Sequence, residues 1–528
     1  MTYLYSSFTG LPDRHLDGYC FVGVDYVAGE DGRKAFLEAT GQDVPPGEDG
    51  NYLVVAPQGA GHQIGTDGAG FKKVFYFSID GVWCISDSLY DLAHHLTDHG
   101  VPLSANMAQV AAYTVDTTIA KQISSFRTVF NEVLLLPHDA VLDLNNGSLQ
   151  MRRLDRGRAT DYEHALADYL NTWVRRFETL IADGRVNTTV DLTGGADSRS
   201  VFALMHTAVE RLRSSDARLT LKSNTNDRWR ADFDAATHLA AEYGYAINKR
   251  HPRAGGLFHT TQSSYEQWRS LAIGIYMPIY FPGEYTHAFD VQFHGGGGEC
   301  HRPFYLEGTP ESLLASLRQI RQRALVREWK SQLLETITEL ASSNPRVDPL
   351  TLHYREFRHR SHVGRVSQYR VALMPLGSRL LELATDHLGA TDSAQVNFDI
   401  MDSLVPGLKD HPYDDPSKAP TDINRAQSTI VAVESRADPG TVYAGQPTAR
   451  HTVEPIDGRE RMRLLATEYD GAKSPAVRKI AGRRFIRKAD AVMAHGLKHG
   501  SFRHATQAKR ISAVLTAAFV MSTANRGS

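Results

Sequence analysis

Short apolar runs separated by turn residues dominate the first part of the chain, and this pattern predicts strands. Asp80-Gly81 and Asn146-Gly147 each lie between two such runs, an arrangement that favours tight hairpin turns. A short helix is predicted over residues 89–96. The apolar runs lie at residues 19–27, 73–79, 82–86, 140–144 and 149–152. We therefore predict a β-rich region over residues 1–155.

A different pattern begins at Tyr162, where long helical segments alternate with short strands. Residues 165–181 place apolar side chains on one helical face. Such alternation is typical of a parallel sheet with helices on its faces, whose ligand lies at the carboxyl ends of the strands. From Glu311 onward helices dominate. The strands are predicted over residues 188–190, 219–221 and 245–248, and the helices from residue 197 and over residues 232–243.

The loop Thr193-Gly-Gly-Ala-Asp-Ser198 is the most informative stretch of the second region. A β-branched run leads into it and a helix follows it, so backbone N–H groups and the helix dipole favour an anion there. The hydroxyls of Thr193 and Ser198 add donors, and Asp197 is a suitable ligand for Mg²⁺. The plain alternative is a strand–turn–helix whose Asp or Ser only caps the helix.

Composition narrows the class of protein. The 528 residues are 42% hydrophobic and 22% charged, which is typical of a soluble globular protein. The net charge of -2 gives no global attraction to nucleic acid. Three widely spaced cysteines fit neither a disulfide framework nor a zinc site. Without a signal-peptide pattern or a membrane-spanning stretch, we expect a cytoplasmic protein that does not bind membranes.

The loop resembles the Ser-Gly-Gly-x-Asp-Ser pyrophosphate loop of the PP-loop ATP pyrophosphatases, with Thr193 in the place of the usual Ser. Other passages resemble one branch of that superfamily, the asparagine synthetase-like enzymes. Ser86 to Leu92 is similar to the helix start that ends their N-terminal domain. Gly295-Gly-Gly-Gly-Glu299 stands in the place of their Gly-x-Gly-Ala-Asp loop. Further similar passages lie at residues 126–139, 232–240 and 370–384.

The resemblance implies a fold of the α/β plus α+β class. A degenerate glutaminase-like domain of the N-terminal-nucleophile type would cover residues 1–155. A PP-loop synthetase domain with a helical C-terminal part would cover residues 156–528. The family uses ATP and Mg²⁺, and the residues of this chain at the implied metal positions are Asp197 and Glu299. The implied ATP contacts are Leu192, Thr193, Gly194, Gly195, Asp197, Ser198 and Gly297.

The N-terminus departs from the glutamine-using members of the family. Those enzymes expose an N-terminal Cys nucleophile, whereas this chain begins Met1-Thr2. We therefore expect no glutamine hydrolysis, as in the β-lactam synthetase-like and lasso-peptide-cyclase-like branches. Such enzymes convert a carboxylate into its adenylate and let a substrate amine attack it. The resemblance thus implies an AMP-forming amide ligase of natural-product or peptide biosynthesis, with carboxylate and amine substrates that include peptides.

Catalytic candidates come from a comparison with the β-lactam branch, which uses a Tyr–Glu pair and a late Lys. The position of its Tyr aligns roughly with Gly296, and its late Lys is not evident here. The region of its Glu aligns roughly with residues 354–359, so Glu356 or His359 is the candidate base and Tyr354 its partner. A solvated or structural helix is the alternative interpretation of this segment.

Two other functions stay open at this stage. One is a non-catalytic partner protein that binds nucleotide or peptide, because a retained fold does not guarantee retained chemistry. The other is a tRNA-modifying PP-loop enzyme, against which the lack of paired cysteines and of surplus positive charge argues. A basic run that contains Arg483, Arg484, Arg487 and Lys488 is either a solvated face or a contact for an acidic or phosphate-bearing partner.

Overall fold

A computed structural model gives the fold. It describes residues 3–155, 157, 159, 161–213, 218–249, 262–281, 287–317, 322–386, 394–446, 457–503 and 505–524. The strands are β1 (Leu4–Ser6), β2 (His15–Val22), β3 (Asp25–Ala28), β4 (Gly50–Gln58), β5 (Gly61–Thr66), β6 (Phe75–Ile79), β7 (Val82–Ser86), β8 (Leu134–Leu135), β9 (Ala140–Asn145), β10 (Ser148–Arg153), β11 (Asn187–Asp191), β12 (Leu219–Lys222), β13 (Asp290–Phe293), β14 (Val371–Leu373) and β15 (Val442–Ala444).

The helices belong mainly to the second region. They are α1 (Gly29–Thr40), α2 (Leu89–Asp98), α3 (Met107–Ala112), α4 (Tyr162–Ala182), α5 (Ala196–Leu212), α6 (Arg230–Glu242), α7 (Gln262–Ala272), α8 (Pro310–Ser316), α9 (Arg323–Ser343), α10 (Pro349–His353), α11 (Arg379–Thr385), α12 (Gln395–Leu404), α13 (Asp422–Ala426), α14 (Gly458–Ala472), α15 (Pro475–Ala481), α16 (Arg483–His499) and α17 (Ala505–Ala524). A π-helix (Tyr354–Val363) follows α10 directly.

The N-terminal region contains two sheets, as its β-rich pattern predicts. A four-stranded sheet has the order β1-β7-β6-β8, and a seven-stranded sheet has the order β10-β9-β5-β4-β2-β3-β15. Side chains from both sheets share one buried cluster. Both predicted hairpins are confirmed: Asp80 and Asn146 take positive φ at the turns, and the flanking strands pair antiparallel.

The prediction of a single strand over residues 19–27 is wrong. The chain turns at Gly23, whose φ is 59°, and Val22 pairs with Asp25. The segment is therefore the antiparallel hairpin β2–β3. The apolar run gave no sign of the turn because both strands bury their side chains, so hydrophobicity is continuous across it.

The second region has a parallel sheet with the order β12-β11-β13-β14, which the predicted alternation of strands and helices indicates. The predicted helices over residues 165–181 and 232–243 correspond to α4 and α6. The predicted strand over residues 245–248 is reduced to a single parallel bridge between Leu221 and Ile247. The chain is thus a mixed α/β protein.

The two regions share one buried core. Strand β15, from the second region, pairs in parallel with β3 and completes the seven-stranded sheet. Phe21 and Tyr26 belong to the same buried cluster as Trp173 and Phe293. The hydroxyl of Tyr19 accepts a hydrogen bond at 2.7 Å from the N–H of Ala372, which lies in β14 at the edge of the parallel sheet. The N-terminal sheet therefore supports the parallel sheet from one side.

The C-terminal helices pack against α2 and α7 in a second large cluster. Within the described ranges, none of the helices has both the length and the apolar content needed to cross a bilayer. Helix α16 exposes Arg483, Arg484, Arg487 and Lys488, and no carboxylate of the described residues lies within 4.0 Å of these four side chains. This exposure is compatible with a solvated face and with a contact for an acidic or phosphate-bearing partner.

Candidate functional site

The parallel sheet has its topological switch point between β11 and β13. After β11 the chain moves outward to β12, and it then crosses back to form β13 on the other side of β11. A crevice opens at such a point because the connections leave the carboxyl ends of the two strands in opposite directions. The predicted phosphate loop follows β11, and the glycine-rich loop follows β13. The fold therefore brings the two predicted loops together.

The first loop is organised around the hydroxyl of Ser198. The N–H of Thr193 donates to this hydroxyl at 3.0 Å, and the hydroxyls of Thr193 and Ser198 also lie 3.0 Å apart. Leu192 is buried and anchors the loop to the core. Helix α5 begins after Gly195 without a side-chain cap from any described residue, so its first N–H groups stay available to an anion.

The second loop lies against the first, which explains its glycines. A Cβ on Gly298 would lie 2.3 Å from Oδ1 of Asp197. Gly297 has a φ of 112°, and a Cβ there would lie 2.4 Å from the backbone nitrogen of Gly377. A side chain at Gly298 is thus excluded by close contact, and one at Gly297 is excluded by close contact and by the positive φ.

Asp197 lies where the two loops meet. Both of its carboxylate oxygens accept from the guanidinium of Arg302, each at 3.0 Å, and Oδ1 also accepts from the amide of Asn397 at 2.7 Å. Glu299 lies 3.8 Å from the same guanidinium. Burial opposes the charge of Arg302, but Asp197 and Glu299 outweigh it and raise the pKa of Arg302.

Arg302 and Asn397 were missed by the sequence reasoning. Asn397 lies 200 positions from Asp197, so only the folded chain brings them together. Arg302 offered a weak signal, since it follows Glu299 by three residues.

A cavity of about 1190 Å³ extends from these loops. All of its lining residues lie between Asp191 and Asn424, so none comes from the N-terminal region. Three further cations missed by the sequence reasoning reach it: Lys222 at the end of β12, Arg370 before β14, and Lys418. Lys418 pairs with Asp414 at 2.6 Å, next to Gly194. The volume is large enough for a nucleotide-sized ligand and a second molecule.

The π-helix forms one wall of this cavity. Tyr354, Arg358, His362 and Val363 line the cavity, while the intervening side chains point into the protein. Long π-helical segments are rare and occur frequently at functional sites. Burial, together with the nearby Glu299, raises the pKa of the Tyr354 hydroxyl above its usual value. Tyr354 is therefore protonated at neutral pH and is a hydrogen-bond donor.

The other two predicted catalytic residues do not line the cavity. Glu356 is fully buried and contacts Arg360 and the ring of His138. Burial opposes its ionisation, but His138 and Arg360 outweigh burial and lower the pKa of Glu356. Asp139 also has a potential metal-ligand atom within 4.8 Å of those of His138 and Glu356. Arginine side chains already neutralise both carboxylates, so this cluster is better described as an ion-pair network.

His359 faces away from the cavity, between Phe71 and Gly377. Its ring centroid lies 5.0 Å from that of Phe71, and neither ring nitrogen has a hydrogen-bond partner among the described residues. Burial lowers the pKa of His359 to about 3, with smaller contributions from His138 and Arg355. The structure therefore places Tyr354 with the two loops and places Glu356 and His359 behind the wall.

No protein-family model matches the chain, and no curated protein matches it significantly. Any functional assignment therefore depends on the motifs and on the geometry described above.

Proposed function

We propose that the protein is an ATP- and Mg²⁺-dependent ligase of the asparagine synthetase-like kind. It would convert a substrate carboxylate into its adenylate, with release of pyrophosphate, and join the acyl group to an amine with release of AMP. Glutamine would take no part. The observation that carries the proposal is the meeting of the two loops at the switch point, with Asp197 against Gly298 and Glu299 beside Arg302.

The loop after β11 is suited to hold the pyrophosphate part of ATP. The first N–H groups of α5 have no side-chain cap among the described residues, and the hydroxyls of Thr193 and Ser198 lie 3.0 Å apart in the same loop. These groups would stabilise the charge that develops on pyrophosphate as it leaves, because they are already oriented before the reaction.

Asp197 and Glu299 fit a Mg²⁺ ion, because both are hard oxygen ligands gathered around a cationic group. The ion would neutralise phosphate charge when bound. Arg302 holds both oxygens of Asp197 in the present structure. For these carboxylates to hold the ion, Arg302 would have to leave Asp197, and its guanidinium would then be free to contact a phosphate.

Tyr354 is the predicted catalytic residue that the geometry favours. Its hydroxyl is protonated and lines the cavity beyond Arg302 and Phe304, whose ring centroid lies 4.5 Å from that of Tyr354. A donor at this position would stabilise the oxyanion that forms when an amine attacks the acyl group. Glu356 and His359 would support the wall and take no direct part in proton transfer.

The proposal includes a degenerate glutaminase-like origin for the N-terminal region. Two stacked sheets over a common core support this origin. The region contributes no lining residue to the large cavity, and the hydroxyl of Tyr19 instead supports the backbone of Ala372. We infer that the region now has a structural role.

A second candidate is a protein that binds nucleotide without catalysis. The contact between Arg302 and both oxygens of Asp197 favours it, because a cation supplied by the protein occupies the carboxylate that would hold Mg²⁺. The two candidates make different predictions for turnover and the same prediction for nucleotide binding.

The test is product analysis with ATP, Mg²⁺ and pooled carboxylic acids and amines. The ligase should release pyrophosphate and AMP, and Asp197→Asn should lower that rate by about 100-fold or more, because one charged ligand is lost from the transition state. Asp168→Asn, on the exposed face of α4, is the matched control. Release of inorganic phosphate would contradict the ligase. Binding of ATP without turnover would support the non-catalytic candidate.

A further inference from the structure

Arg358 is a buried cation in the cavity wall without a carboxylate partner. The side chain is 7% exposed, and its Nη1 donates to Oε1 of Gln122 at 3.2 Å. Its Nε has no hydrogen-bond partner, and no carboxylate lies within 4.0 Å of its guanidinium, among the residues that the structure describes. A charge removed from water in this way is costly unless something else compensates it.

The other buried arginines of the described ranges are compensated. Arg176 pairs with Asp49, Arg355 with Asp386, Arg360 with Glu356, and Arg33 with Glu30 and Asp43. Arg199 donates to two backbone carbonyls and lies over the ring of Tyr413. Arg358 therefore differs from the other buried arginines of the described ranges, and it lines the cavity of about 1190 Å³.

The neighbours of Arg358 add positive charge or stay neutral. Burial and Arg358 together lower the pKa of Lys121. Burial, with Arg358 and Arg365, lowers the pKa of His362 to about 2. The Nδ1 of His362 faces the guanidinium of Arg365 and the hydroxyl of Tyr276, each at 2.6 Å. His362 is therefore neutral, with its proton on Nε2.

Arg370, which lies before β14, contributes a further cation to the lining of the cavity. Its Nη1 donates to Oε1 of Gln292 at 2.9 Å, and within the described part of the chain no carboxylate lies within 4.0 Å of its guanidinium. Arg358 and Arg370 are thus two cations of the cavity lining that contact no carboxylate of the described residues.

We propose that Arg358 binds an anionic group of the acyl or amine substrate, a carboxylate or a phosphate, in addition to the carboxylate that is activated. This assignment to the substrate rests on the proposed ligase function. The guanidinium, which lines the cavity, would form a charge-assisted hydrogen bond with the anion, and Arg370 would add long-range attraction. Acidic substrates would therefore be selected over neutral analogues of the same shape.

Ligand-induced thermal shifts on the full chain test this site without ATP. The probes are glutarate, its neutral analogue glutaramide, inorganic phosphate and pyrophosphate. Glutarate or phosphate should raise the melting temperature of the wild type, whereas glutaramide should not. The stronger of the two anions identifies the group as a carboxylate or a phosphate. Competition of glutarate with pyrophosphate for one site would overturn the assignment, because the anion would then belong to ATP.

Arg358→Gln keeps a donor for Gln122 and removes the charge. It should weaken binding of the preferred anion by about tenfold or more, because a hydrogen bond to a charged group is lost. Arg358→Lys should retain part of the affinity, and Arg327→Gln, on the exposed face of α9, should retain all of it.

The melting temperature of the ligand-free Arg358→Gln protein distinguishes a ligand-binding arginine from one that only stabilises the fold. Its melting temperature should equal or exceed that of the wild type, because an uncompensated buried charge has been removed. A lower melting temperature, or unchanged anion affinity, would overturn the proposal. Failure of pyrophosphate release with anion binding intact would reject the ligase and leave the anion site in place.

Discussion

Two arginine–carboxylate pairs in this molecule make the same kind of contact but differ in how deeply they are buried. The Asp197–Arg302 pair lies at the cavity, with side chains 24% and 27% exposed. The Glu356–Arg360 pair lies behind the π-helix wall, with side chains 0% and 1% exposed. A partly hydrated pair can exchange its partner for a metal or a phosphate at modest cost, whereas a buried pair cannot. Burial, and not residue type, therefore separates the candidate site from the structural network.

Removal of the buried carboxylate should have the largest effect. Glu356→Gln leaves the buried Arg360 without its counter-charge and removes the carboxylate that contacts the ring of His138, so we expect the free energy of unfolding to fall by about 3–5 kcal/mol. Asp197→Asn should change it by less than about 1 kcal/mol. Denaturant unfolding of both variants, with the exposed Glu328→Gln as control, measures the difference. Equal losses in the two variants would remove the distinction between the pairs.

A smaller effect should appear as acid sensitivity from His359. Burial lowers its pKa from 6.5 to about 3, so between these values the unfolded chain binds a proton that the folded chain does not. The contribution of His359 to the free energy of unfolding is fully present above pH 6.5. It falls by about 1.4 kcal/mol per pH unit as the pH drops toward 3.

His359→Phe should abolish that part of the pH dependence. Both ring nitrogens lack partners among the described residues, so an apolar ring of similar shape should cost little at neutral pH. The measurement is the difference in unfolding free energy between variant and wild type from pH 7 to pH 4. A constant difference across this range would show that His359 titrates normally and is not buried as described. Loss of ligase activity at unchanged stability would restore His359 as a catalytic residue.

The smallest effect on stability should come from the cavity side of the π-helix. The Tyr354 hydroxyl lines the cavity, so Tyr354→Phe should change the unfolding free energy by less than about 0.5 kcal/mol. If the hydroxyl stabilises the oxyanion, the rate of amide formation should fall by about tenfold or more while ATP affinity is unchanged. An unchanged rate would remove Tyr354 from the proposed mechanism.

The two loops that follow β11 and β13 could be recognised in the sequence because the residues that indicate each loop lie close together in the chain. A β-branched run, two glycines and a helix start lie within twelve residues, and Glu299 follows its own glycine run. The two hairpins were predictable for the same reason, since Asp80 and Asn146 sit at turns that favour them.

The burial of the π-helix could not be predicted from its sequence. Charged residues at this density indicate a solvated face, yet Arg355, Glu356 and Arg360 are buried. Their partners come from distant parts of the chain: His138 lies 218 positions from Glu356. Helical spacing of 3.6 also assigns the wrong faces to a π-helix, whose hydrogen bonds close at i+5. Contacts between residues so far apart in the chain leave no pattern in the local sequence.

Calorimetric titration with ATP and excess Mg²⁺ tests whether the loop at Asp197 holds the pyrophosphate part of ATP. The wild type should bind one ATP per chain, and Asp197→Asn should bind at least about tenfold more weakly, because a charged metal ligand is lost. Asp168→Asn should bind as the wild type does. Equal affinity in wild type and Asp197→Asn, or no binding by the wild type, would contradict the account.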